Sequence, residues 1–163
     1  MKSVSVVCVV AILLMASVSS ADIRFHGSGS WGMLEGVGQA EGWQSATAPG
    51  AADKVRANWG NNTVTLDYAT TVNRFQLGVD EGGTFHIQNG GSLTLSAGST
   101  VGNNGQPLDS DPSYDHGILT IDAGGTVQVN NWLKIGNGTD GTTNVAGTLG
   151  MTGHLWMGTG SST

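Results

Sequence analysis

The sequence predicts an all-β fold: a right-handed parallel β-helix (solenoid) of short strands, about 22 residues per coil, with an N-terminal cap. Three observations carry that expectation. From Val64 onward, polar and apolar residues alternate in short runs, and a period of two sends one set of side chains inward and the other outward. Glycine supplies 27 of the 163 residues, so corners are plentiful and long helices are disfavoured. Finally, the form x-apolar-x-apolar-Gly recurs at Arg74–Gly78, Trp132–Gly136 and His154–Gly158, the last two 22 residues apart.

The first 21 residues read as a secretory signal peptide. Lys2 precedes an apolar run from Val4 to Met15, and Ser19 and Ala21 fit the small positions before a cleavage site. The run is too short to span a bilayer well, so the mature chain is expected to hold no membrane span. Cys8, the single cysteine, lies in this leader, which leaves the rest of the chain without thiol or disulfide chemistry. The expected location is extracellular or cell-surface associated.

Residues 22–63 hold three of the five tryptophans and lack a regular period. They read as a leading strand and cap in which Trp31, Trp43 and Trp59 plug the first coil, since a solenoid must shield its terminal coil from water and from edge pairing.

Residues 64–163 read as the β-solenoid repeats. The alternating runs are Thr84–Ile87, Ser92–Leu95, Thr120–Ile121, Thr126–Val129, Trp132–Ile135 and His154–Met157. Their inward residues run from Phe85, Ile87, Leu93 and Leu95 through Leu133 and Ile135 to Leu149, Met151, Leu155 and Met157. Glycine corners separate the runs at Gly82-Gly83, Gly90-Gly91, Gly124-Gly125 and Gly136-Asn137-Gly138. Antiparallel hairpins are the rival arrangement, because glycine pairs also close hairpins; the 22-residue recurrence favours parallel coils. Residues 102–116 break the pattern with two prolines and three aspartates and read as a projecting loop. The final residues, Gly158 to Thr163, begin another turn, so the chain is expected to be truncated at its C-terminus, with open ends available for end-to-end self-association.

Charge narrows the function. Twelve acidic against six basic residues give a net charge of −6, which argues against nucleic acid as a partner. No Gly-x-Ser-x-Gly motif is present. The histidines share no metal-ligand spacing. Calcium is the one cofactor with a candidate site: Asp109, Asp111 and Asp115 lie within seven residues, and hard cations take several oxygen ligands. A solvated acidic loop explains them more simply, and the expectation is no cofactor.

A carbohydrate site is the more specific candidate. In a 22-residue register the outer face of one sheet places Trp132 and Lys134 beside His154 and Trp156. Outward tryptophans on adjacent coils offer apolar faces to sugar C–H groups beside polar donors. The bland alternative is that neighbouring protein covers them. For catalysis, Asp67, Asp80, Glu81 and Asp122 fall at turns or strand ends, and only Arg74 and Lys134 are bases on repeat strands.

The stretch from Trp31 to Leu95 resembles the opening of large secreted proteins of planctomycetes and related bacteria. The matching residues are Trp43, Pro49 to Asp53, Val64-Thr65-Leu66-Asp67, Val72 to Gly78, and Gly82-Gly83-Thr84 through Leu95. The later repeats are similar to the autotransporter-associated β-strand repeat and to the repeats of proteins carrying a Pro-Glu-Pro sorting tag. This sequence contains no Pro-Glu-Pro motif. The resemblance implies a secreted, mostly structural or adhesive β-solenoid. With the outward tryptophans and the thin set of acids and bases, the expectation is a protein that contacts extracellular matrix or glycan without catalysis. The alternative is a polysaccharide-active lyase or hydrolase of β-helix type.

Overall fold

From Lys54 on, every third described strand lies beside the last. The structure, a computed structural model, describes residues 22–34, 42–57, 62–78, 82–103, 116–137 and 140–158. Within them the strands are β1 (Asp22–His26), β2 (Gly29–Ser30), β3 (Gly42–Trp43), β4 (Lys54–Ala57), β5 (Asn62–Leu66), β6 (Ala69–Val72), β7 (Arg74–Leu77) and β8 (Gly83–Ile87). They continue as β9 (Ser92–Leu95), β10 (Ser99–Asn103), β11 (Gly117–Ile121), β12 (Thr126–Val129), β13 (Leu133–Asn137), β14 (Gly141–Val145), β15 (Thr148–Met151) and β16 (Leu155–Met157). No helix occurs among the described residues. The leader, Trp59, and Asp109, Asp111 and Asp115 of the expected loop lie outside them.

The fold is all-β and mostly parallel. One sheet has the order β16-β13-β10-β7-β4-β1-β3, a second β14-β11-β8-β5-β2, and a third β15-β12-β9-β6. From β4 on, consecutive strands visit the three sheets in turn. The antiparallel pair among the described strands is β1 with β3, where Phe25 faces Trp43. The sequence distance between register partners varies: Val64 lies beside Phe85, Leu133 beside Leu155, and Phe85 beside the more distant Leu119, because residues 104–115 intervene.

Alternation produces the core. Phe75 and Leu77 on β7, Phe85 and Ile87 on β8, and Leu93 and Leu95 on β9 are buried, while the residues between them are half-buried. Each buried Leu, Ile or Phe is worth roughly 1.5–3 kcal/mol of transfer free energy. Among the first strands an aromatic chain fills the interior. Phe25, Trp43, Trp31, Phe85 and Phe75 follow one another with ring centroids 4.9, 4.7, 5.2 and 4.8 Å apart. Trp31 and Trp43 are fully buried, and the Trp43 indole N–H donates to the Trp31 carbonyl at 2.6 Å.

The inward row changes at the last strands. Leu149 and Met151 are partly buried, whereas Leu155 and Met157 are exposed. They were expected inside. The difference has a simple cause: β14, β15 and β16 are each the last described strand of their sheets, so their inward side chains are packed from one side only. β10 carries a second departure, a serine at an inward position. The fully buried Ser99 hydroxyl accepts the Phe75 N–H at 3.0 Å and donates to the Ala97 carbonyl at 3.2 Å, which offsets its desolvation.

Candidate functional site

The outer face of the seven-stranded sheet is built by the same alternation. On β13, Leu133 and Ile135 point inward and are buried, so Lys134 points outward. On β16, Trp156 is the register partner of Lys134. Trp132 and His154 precede these strands, and the Leu133 N–H donates to the His154 carbonyl at 2.9 Å, which sets the two residues side by side. The structure therefore brings Trp132, Lys134, His154 and Trp156 together on one face.

Their geometry is more specific than a flat aromatic platform. The Lys134 Nζ lies 5.4 Å from the Trp132 ring centroid and 5.5 Å from that of Trp156. The ammonium thus bridges two π-systems, an attraction of about 0.5–1 kcal/mol each when solvated. Trp156 is 56% exposed, His154 is exposed, and Trp132 is half-buried. An open recess lies between β13 and β16, bounded by Lys134, Gly136, Leu155, Trp156 and Met157.

Trp132 owes its position to Gly98. A Cβ there would overlap Cε2, Cζ2 and Nε1 of the indole, so the ring lies directly on the glycine backbone at the start of β10. Gly98→Ala is expected to expel the ring. The Trp132 contribution to fluorescence, taken as the difference from a Trp132→Phe chain, should move to longer wavelength. The thermal midpoint should fall by only a few degrees, because a half-buried side chain can move aside.

The other candidates are scattered. His86 on β8 has Nε2 2.8 Å from Asp122 Oδ2, close enough for an ion pair when the imidazole is protonated but not aligned as a hydrogen bond. Asp67 follows β5 at a different corner, and Arg74 opens β7. Asp80, Glu81, Asp109, Asp111 and Asp115 lie outside the described residues. Among the described residues no three His, Cys, Asp or Glu side chains converge as a metal site would require. Sequence reading did not single out Gly98, although a glycine ahead of a strand and facing a tryptophan column is a readable signal.

Comparison of this chain with family models, curated proteins and solved structures finds no match.

Proposed function

We propose that this protein is a secreted structural or adhesive β-solenoid that contacts glycan or matrix through the face carrying Trp132, Lys134, His154 and Trp156. The same reading takes the three parallel sheets as the sides of a right-handed solenoid of about 22 residues per coil, in line with the handedness of parallel crossovers. It keeps the leader as a signal peptide and the likeness to the glycine-rich secreted proteins of planctomycetes. One observation carries the binding reading: Lys134 sits between the rings of Trp132 and Trp156 on an outward face, and the Trp156 ring remains over half exposed. Sugar rings pack their C–H faces on such indoles, and an ammonium beside them donates to hydroxyl or carboxylate oxygen. An exposed indole beside a cation is the kind of surface that supports this reading.

The test is a titration of the full chain with neutral and acidic polysaccharides, reading tryptophan fluorescence and released product in the same samples. Saturable binding without product is expected, and Trp156→Ala should weaken it about tenfold or more, in keeping with the loss of an exposed aromatic anchor. Product formation would favour the polysaccharide-active enzyme instead. Binding unaffected by Trp156→Ala would place the ligand elsewhere.

A further inference from the structure

The chain is acidic overall, yet its cations are gathered on one side. Every lysine and arginine after Lys2 lies in the seven-stranded sheet: Arg24 in β1, Lys54 and Arg56 in β4, Arg74 in β7 and Lys134 in β13. Each occupies an outward position, because its neighbours Ile23, Phe25, Val55, Ala57, Phe75, Leu133 and Ile135 are the buried ones. The described outward positions of the other two sheets carry mainly threonine, with serine, glutamine, asparagine, His86, Ala69, Ile118 and Gly150, and no lysine or arginine.

Register turns these residues into columns across the strands. Arg24 lies beside Arg56, Arg56 beside Gln76, Gln76 beside Thr100, Thr100 beside Lys134, and Lys134 beside Trp156. In the adjacent column Asp22 precedes Lys54, and Lys54 lies beside Arg74. With neighbouring strands about 4.8 Å apart, the first column extends roughly 24 Å from Arg24 to Trp156, with the small Thr100 in its middle buried. Arg24–Arg56 and Lys54–Arg74 are thus like-charged register pairs in a chain that has few cations to place. Asp22 Oδ2 is 2.8 Å from Arg56 Nη2 and 3.4 Å from Lys54 Nζ. The other described carboxylates, Asp53, Asp67, Asp122 and Asp140, flank strands at the corners.

We infer that this face binds an acidic polysaccharide, whose chain runs across the strands from the Arg24 end to Trp156. The ligand's carboxylate or sulfate groups pair with Arg74 and Lys134, and a sugar ring packs on Trp156. This rests on the glycan-binding reading of the Trp132–Trp156 end and extends it over the length of the sheet. Concentrated cations on an acidic protein also orient the approach of an anionic polymer, since the corner carboxylates repel it.

The experiment measures binding of the full chain to polygalacturonate, heparin, neutral dextran and single-stranded DNA at two salt concentrations. The acidic glycans are expected to bind at least tenfold more tightly than dextran. Their affinity should fall roughly tenfold or more between about 0.05 and 0.5 M salt, as screened charge pairs must. Polygalacturonate without heparin would assign carboxylate as the recognised group, and the reverse would assign sulfate; both outcomes support the inference. Arg74→Gln and Lys134→Gln should each weaken binding several-fold, and Arg74→Lys should restore most of it, with circular dichroism unchanged in all three. Equal, salt-insensitive binding of dextran would overturn the acidic ligand and leave the glycan-binding reading standing. Equal affinity for the DNA would overturn it as a general polyanion patch. No binding to any glycan would overturn both.

Discussion

Trp43→Ala is expected to cost about 3–5 kcal/mol of folding stability, the usual range for removing a fully buried tryptophan. Against the 5–15 kcal/mol that holds a typical domain together, that is a large share. The indole touches both Phe25 and Trp31 edge-on, so its loss opens a cavity in the middle of the aromatic chain. It also removes the N–H that satisfies the Trp31 carbonyl. Trp43→Phe separates the two effects, because it keeps most of the packing and forfeits the hydrogen bond, at about 1–3 kcal/mol for the orphaned carbonyl. Urea denaturation of the two variants, read by circular dichroism, measures both numbers. A Trp43→Ala loss below about 1 kcal/mol would mean that β3 and its tryptophan contribute little to the core.

The second large effect is expected at Gly78, the residue that follows β7. Its φ of +64° lies in the left-handed region, where a side chain costs about 1–2 kcal/mol. A Cβ there would also stand 2.7 Å from the Gly117 nitrogen and 2.8 Å from the His116 carbonyl carbon. Those are backbone atoms at the start of β11 and cannot rotate away. Overpacking of this kind adds roughly 1–3 kcal/mol, so Gly78→Ala should rank with the core substitutions. Gly90→Ala is the control: its φ is +86°, but the nearest atom to a new Cβ is the Asp67 carbonyl oxygen at 3.6 Å, so only the backbone term remains. Similar losses at the two sites would show that the close approach of β7 to β11 carries no strain.

Gly78 also shows what could be read from the residues. The x-apolar-x-apolar-Gly form marked β7, β13 and β16 because the apolar positions face the core and the glycine sits at the corner. The same corner in β10 escaped notice. There the inward pair is Ser99 and Val101, and the serine is tolerated only through its bonds to Phe75 and Ala97, which are fixed by the fold rather than by local sequence. β14, Gly141–Val145, was equally opaque, since Thr142, Thr143 and Asn144 carry no alternation of apolar and polar residues; its pairing with β11 defines it. For the site, the register of Lys134 with Trp156 followed from the recurrence, but the ammonium bridging two rings did not. Nor did the alignment of Arg24, Arg56 and Lys134 in one column, because the intervening separations in sequence are unequal.

The most direct test of the glycan-binding face follows the indole N–H signals of the labelled chain by NMR as polysaccharide is added. The indole signals of Trp132 and Trp156, assigned by single Trp→Phe substitutions, are expected to shift together and saturably, while those of the buried Trp31 and Trp43 stay in place. Shifts confined to residues of the other two sheets, or binding that leaves both outward indoles unmoved, would contradict the assignment of this face as the ligand surface.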